Sequence, residues 1–418
     1  MGRTPRSAAD AHVGLPLPCR NRIHGTKSGS RGTRADRGVR PTIHALASGA
    51  MTVGFYAPLP PARSGVADYA AALLAELRRY GSVEVAPPRC DVALYHLGNN
   101  SLHAGIYEQA LERPGVVALH DAVLHHFLLG YLNEARYKEE FVYNYGEWHR
   151  PLARELWRGR AAAGADARYF EFPMLRRVVE RARAVVVHNP AAARIAAAAG
   201  NGSPPIVEIP HLFQPPAPPP TESQAQRYRQ RLGVEPGAYL FGVFGYLRES
   251  KRLPAALETF ARLRREQPRA ALLVAGGFVS TDLERAMGPL LGAPGVIRRP
   301  HLTDREFWLA AASVDACINL RYPSAGETSG IAIRLMGLGK PTLVTDCPEY
   351  AGFPQDACLR IAPGEAERDS LFDHMRLLTL WAEAGRAIGR RGAGHIQDCH
   401  RVDRAGKRYW DLLCEHRG

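Results

Sequence analysis

The segment Arg321-Tyr-Pro-Ser-Ala-Gly-Glu-Thr-Ser-Gly330 gathers a carboxylate, three aliphatic hydroxyls and two glycines between two apolar runs. Thr328 and Ser329 are helix-capping residue types, and the free amides of a first helical turn, with the positive end of the helix dipole, favour a diphosphate. Glu327, just ahead of that start, suits hydrogen bonds from sugar hydroxyls. Pro323, Ser324, Gly326 and Gly330 complete the segment. A second group, Phe244-Gly-Tyr-Leu-Arg-Glu-Ser-Lys-Arg252, sets Arg248, Lys251 and Arg252 behind Gly245, which lets the backbone turn tightly. Fixed cations there could hold the two phosphates of a diphosphate and stabilise it as a leaving group without a metal. The same residues also read as a solvated basic turn opening a helix. A third group joins Ser64 and Gly65, in Pro58-Leu-Pro-Pro-Ala-Arg-Ser-Gly-Val66, to His120-Asp121. Gly65 permits close approach to a ligand, and His120 exchanges a proton near neutral pH.

Other chemistries compete for these residues. His120, Asp121, His125 and His126 are clustered, and Asp121 with His125 at helical spacing would give a metal hydrolase two ligands on one face. No partner cluster is legible. A phosphate loop of the Gly-x-x-x-x-Gly-Lys-Ser/Thr type is excluded, because Gly337-Leu-Gly-Lys-Pro341 has proline where the hydroxyl belongs. No Gly-x-Gly-x-x-Gly opens a helix after a strand, which removes the usual dinucleotide fingerprint.

The elements that must position these groups alternate short apolar runs with helical periodicity, the pattern of βα units around parallel sheets. Strands are expected at Thr52–Tyr56, Val92–Tyr95, Val116–Leu119, Val185–His188 and Ile206–Ile209, then at Leu240–Phe244, Ala271–Val274, Asp315–Leu320 and Pro341–Thr345. Val66, Tyr69, Ala70, Leu73, Leu74 and Leu77 share one helix face; Pro254–Arg265 is a second helix and Gly330–Leu338 a buried one, stopped by Gly339. All three chemical groups then follow strand carboxyl ends, where open α/β sheets bind ligands. The proline-rich stretch 214–221 reads as a linker between a first domain, 51–213, and a second, 222–395, with a C-terminal helix over 396–418 packing back on the first. Between His120 and Arg183 an aromatic- and Arg-rich insertion exceeds what a crossover needs, and either lines an acceptor site or is an ordinary helical excursion.

The formal charge of +13 invites a nucleic-acid partner, but its distribution argues against one. Residues 1–50 hold nine Lys or Arg against two acids, so +7 lies there and +6 in all the rest. That leader has no apolar run. It reads as a disordered basic segment or, preferably, as a mis-annotated start ahead of Met51. The seven cysteines are scattered singly, with no Cys-x-x-Cys pair, as reduced thiols of a cytoplasmic protein would be. No run approaches the roughly 20 apolar residues of a spanning helix, which leaves a peripheral contact at the inner face of a membrane.

From Met51 onward the chain resembles the glycosyltransferases of the GT-B fold, in particular the large retaining group called family 4. Their donor-site helix opens with Pro-Ser-x-x-Glu-x-x-Gly, matched by Pro323, Ser324, Glu327 and Gly330. Their Gly-Arg-Leu-x-x-x-Lys is matched by Gly245, Leu247 and Lys251, with Tyr246 in place of the arginine, so that Arg248 or Arg252 supplies the second cation. The family's second, ribose-binding glutamate should fall at Leu335, where no acid stands, and Arg334 occupies roughly its place. The resemblance implies two Rossmann-like α/β domains facing across a cleft, and retaining, metal-independent hexosyl transfer from a nucleoside-diphosphate sugar, with no cofactor required. It implies a glycan or lipid-linked acceptor in bacterial envelope polysaccharide biosynthesis, with His120, Glu327 and Lys251 at the reacting centre. The missing glutamate leaves room for a degenerate, non-catalytic sugar-binding protein.

Overall fold

The computed structural model describes residues 51–418, so the expectations for the first fifty residues lie outside it. Strands β1 (Thr52–Tyr56), β2 (Ser82–Val85), β3 (Val92–Leu97), β4 (Val116–Leu119), β5 (Ala184–Val187) and β6 (Ile206–Glu208) form one sheet in the order β2-β1-β3-β4-β5-β6. A second sheet holds β7 (Leu240–Phe244), β8 (Ala271–Ala275), β9 (Val296–Arg299), β10 (Ala316–Asn319), β11 (Thr342–Thr345) and β12 (Leu359–Ile361), ordered β12-β11-β10-β7-β8-β9. All neighbours are parallel; Val53 pairs with Val92, and Leu240 with Ala271. Helices cover both faces of such sheets, which is why β4, β5, β7, β8 and β10 are buried at every residue and read as unbroken apolar runs.

Strands β2, β9 and β12 are absent from the sequence reading. The first two are sheet edges with polar side chains, Ser82 and Glu84 or Arg298 and Arg299, and β12 is a three-residue edge. The remaining strands differ from expectation only at their ends. Helix Gly65–Leu77 is capped by Ser64, whose Oγ accepts from Ala67 N at 3.0 Å. Helix Val402–Glu415 returns from the second lobe and packs on it: the Tyr69 and Tyr409 hydroxyls meet at 3.1 Å, and Ala405, Leu412 and Leu413 join the core beneath β1 and β3.

The insertion between β4 and β5 is helical. Its aromatics Tyr137, Phe141 and Tyr169 are fully buried and extend the core that covers one face of β3, β4 and β5, while Trp148 stands 96% exposed between helices Glu134–Tyr145 and Arg150–Gly159.

Chain direction across the second sheet reverses between β7 and β10, because β8 and β9 lie on one side of β7 while β10, β11 and β12 lie on the other. Loops diverging from the carboxyl ends of such a pair leave a crevice between them. The loops in question are 245–252 and 320–329. In the first sheet the reversal falls between β1 and β3, next to β4 and His120.

Candidate active site

Loop 320–329 is tied around its own carboxylate. One Glu327 oxygen takes the Arg321 guanidinium; the other accepts from Ala325 N at 2.8 Å and from Ser324 Oγ at 3.3 Å. Ser324 Oγ in turn accepts from Gly326 N at 3.1 Å. Burial alone would raise the Glu327 carboxyl, but Arg321, Arg248 and these hydrogen bonds outweigh it and hold the group below its ordinary value. Pro323 follows a cis peptide. Ser329 is the N-cap of helix Gly330–Gly337: its Oγ accepts from Ala332 N at 3.2 Å and donates to Asn319 Oδ1 at 3.2 Å. Thr328 does not cap. Its hydroxyl accepts from Asn189 instead.

The other lobe closes onto this loop. Asn189 Nδ2 donates to Gly326 O and to Thr328 Oγ1, both at 3.0 Å, while Asn189 Oδ1 caps helix Pro190–Gly200 through Ala192 N at 2.8 Å. Gly326 has φ +75°, and a Cβ there would come within 2.7 Å of Ala122 Cβ, so the position needs glycine on two counts. At Gly330 a Cβ would lie 3.3 Å from His211 Nε2. Gly65 faces open space, with nothing within 4 Å of where its Cβ would stand.

Behind β7, Gly245 adopts φ +89° and stacks on Gly276 so closely that a Cβ on Gly276 would sit 1.9 Å from Gly245 O. Lys251 is 6% exposed and donates to Phe244 O at 2.8 Å; burial drives its ammonium well below the ordinary lysine value, and Arg321 and Arg248 push the same way. Arg248 is exposed and acts electrostatically on Lys251, Glu327 and Asp121. Arg252 does not join them: its guanidinium is held by both oxygens of buried Glu367, at 2.7–3.0 Å. Of the two arginines, Arg248 is the one that no ion pair holds among the described residues. Tyr246, in the place of the expected arginine, donates to Arg63 O at 2.8 Å, bridging to the loop that carries Ser64. Arg334 pairs with Asp68 of helix Gly65–Leu77 at 3.1 Å.

His120 sits in a wall of imidazoles around Tyr69. Its Nε2 lies 2.9 Å from His96 Nδ1, and its ring is 5.0 Å from that of His188. Burial, with His188 and His96 beside it, takes its pKa well below the ordinary histidine value, so the ring is neutral. Asp121 comes from the same turn. Its Oδ2 accepts from Asn99 N at 2.7 Å, and burial together with the Glu327 carboxylate raises the group to about 6.

The grouping of Asp121 with His125 on one helix face is corrected by the structure. Helix His125–Tyr131 starts after Asp121, His125 turns into the aromatic core onto Tyr137 OH at 2.7 Å, and His126 Nε2 meets Ala163 O at 3.1 Å. Among the described residues no three His, Cys, Asp or Glu side chains are grouped to hold a metal ion. Sequence reasoning overlooked Arg321, Asn189 and Gly276. Each stands at a strand's carboxyl end, and the cap-and-proline pair Asn189-Pro190 was the legible signal for one of them.

No family model matches this chain, and no curated protein matches it by sequence. Solved structures do. HepE from Anabaena, in complex with UDP-glucose, superposes with a TM-score of 0.64 at 13% identity, over 87% of this chain and 100% of that one. Sucrose-phosphate synthase from Thermosynechococcus elongatus gives 0.63 at 13% identity, over 87% and 98%. The catalytic domain of starch synthase IV from Arabidopsis thaliana, bound to ADP and acarbose, gives 0.62 at 10% identity, over 88% and 99%. With two parallel six-stranded sheets arranged as in these proteins, the chain has the GT-B fold.

Proposed function

We propose that this chain transfers a hexose from a nucleoside-diphosphate sugar to an acceptor hydroxyl, with retention of anomeric configuration as in family 4. The observation that carries the reading is the convergence, at the second sheet's reversal point, of Lys251 and Arg248 with the Arg321–Glu327 loop and the start of helix Gly330–Gly337. A diphosphate there meets two cations and a helix N-terminus, and the leaving charge is met by groups already in place. Burial holds the Lys251 ammonium below its ordinary value, and a diphosphate beside it favours the charged form. Neutral His120 offers hydrogen bonds rather than acting as a base, which fits a transfer in which the leaving diphosphate guides the incoming hydroxyl. Two structural neighbours were solved with UDP-glucose and with ADP, in line with a nucleotide donor. None of these roles calls for a metal or a cofactor.

The acceptor is a glycan or lipid-linked sugar of envelope polysaccharide biosynthesis, reached at the cytoplasmic face of a membrane. Among the described residues no helix is long and apolar enough to cross one. Trp148, with Arg154 and Arg158 exposed on helix Arg150–Gly159, forms a surface suited to anionic headgroups.

Thermal-shift measurements with UDP, GDP and ADP and their sugars test the donor reading. A ligand at a hundred times its Kd adds about 2.7 kcal/mol, and one nucleotide class should raise the midpoint in the wild type while Lys251→Ala abolishes the rise. Absence of any shift at millimolar ligand overturns it; binding without turnover of any donor points to the degenerate sugar-binding protein.

A further inference from the structure

Two carboxylates, Asp121 and Glu327, act on each other electrostatically where the lobes meet, and they are not equally occupied. Glu327 has both oxygens engaged inside its own loop, by Arg321, Ala325 N and Ser324 Oγ. Asp121 has one oxygen engaged, Oδ2 with Asn99 N; among the described residues no hydrogen bond uses Oδ1. Asp121 directly precedes Ala122, the residue on which Gly326 rests, so its carboxyl lies beside the donor loop and interacts with Glu327, Arg248 and Arg321. Hydrogen-bonding capacity is also unspent in the walls: His188 Nε2, on a side chain 4% exposed and packed against His120, and Arg321 Nε are buried without partners. A polyhydroxylated ligand satisfies groups of this kind, and a site with buried polar groups rejects an analogue lacking the matching hydroxyl.

We propose that Asp121 contacts the transferred sugar directly, its Oδ1 accepting a hydrogen bond from a ring hydroxyl, and that this contact selects which hexose is taken. The inference rests on the donor reading above and assigns the sugar contact chiefly to Asp121, with Glu327 organising the loop that carries it. Ionised, Asp121 offers Oδ1 as a charge-assisted acceptor; protonated there, Oδ1 becomes a donor and the contact weakens. The charged and titratable groups around it are Glu327 and Arg321 on the loop after β10, Arg248 on the loop after β7, His103 beside Gly98 beyond β3, and His120 and His126 on its own segment. With its carboxyl raised to about 6, sugar-dependent turnover rises with pH through that value.

The test uses the full chain and the variants Asp121→Asn and Asp121→Ala, with UDP, GDP and ADP alone as probes of the nucleotide and with pairs of hexose epimers on the preferred nucleotide. Both variants should keep the diphosphate Kd within about twofold while kcat/KM for the best donor falls about tenfold to a hundredfold, the scale of one hydrogen bond to a charged group. Discrimination between epimers should collapse in both, and the rise of kcat/KM through about pH 6 should vanish in Asp121→Asn. If Asp121 serves only to hold Asn99, every donor and the bare diphosphate lose alike and the pH limb stays, which overturns the proposal. A wild type that turns over donors while Asp121→Asn keeps selectivity and pH profile also overturns it, leaving the donor reading intact. A wild type that binds no nucleotide overturns the donor reading and this inference with it.

Discussion

Asn189 does two jobs that substitution can separate. Its Oδ1 caps helix Pro190–Gly200, and its Nδ2 reaches across the cleft to Gly326 O and Thr328 Oγ1. Serine at this position keeps a capping oxygen, but its side chain is too short to reach the other lobe; alanine loses both functions. Two neutral hydrogen bonds contribute about 0.5–1.5 kcal/mol each, so Asn189→Ser should cost about 1–3 kcal/mol, and Asn189→Ala about 1 kcal/mol more for the lost cap. At the entropy of unfolding usual for a unit of this length, Gly49–Gly418, each kcal/mol moves Tm by about 1–2 °C, which predicts a drop of roughly 1–6 °C for serine. Thr328→Val removes one of the two bonds, and in the double variant with Asn189→Ser the losses should fall short of additivity by about 0.5–1.5 kcal/mol. Scanning calorimetry of the wild type and these four variants, with nucleotide affinity measured alongside, checks this. If Asn189→Ser melts and binds like the wild type while Asn189→Ala alone is weakened, Asn189 is a helix cap and the lobes are held by something else.

Gly326→Ala places a Cβ at φ +75° against Ala122, which should cost about 1–2 kcal/mol for the backbone alone and weaken donor binding, whereas Gly330→Ala, at an ordinary φ, should be milder; paired denaturation and binding curves decide. Glu327→Gln should lower turnover and cost about 1–3 kcal/mol because Arg321 loses its charged partner; a variant as stable and as active as the wild type contradicts the loop-organising role. Burial depresses His96 to about 3 and His103, His188 and His400 to about 4, so the unfolded chain binds more protons below about 6.5. Stability is therefore full above that pH and lost progressively as pH falls toward 4; a Tm that stays flat from pH 7 to 5 contradicts the buried neutral cluster.

The buried parallel strands were legible because unbroken runs such as Val116–Leu119 are apolar on both faces, and the helix starts at Ser64 and Ser329 because capping is a local property. Edge strands were not, since Ser82-Val-Glu-Val85 carries no pattern that distinguishes it from a loop. The site was legible as far as strand ends reach. What a cation does once it is there was not: Arg252 is taken by Glu367, 115 residues away, and Arg334 by Asp68, 266 residues away, and such pairings are set by packing. The same holds for Asn189, whose cap was readable and whose reach across the cleft was not.

The central claim is that the cleft between the two sheets releases a nucleoside diphosphate from a sugar donor. Diphosphate release from UDP-, GDP- and ADP-hexoses, measured for the wild type and for Arg248→Ala, tests it most directly. Release from one nucleotide class, falling by an order of magnitude or more in the variant, is the predicted result. No release from any donor, or release unchanged without Arg248, would contradict it.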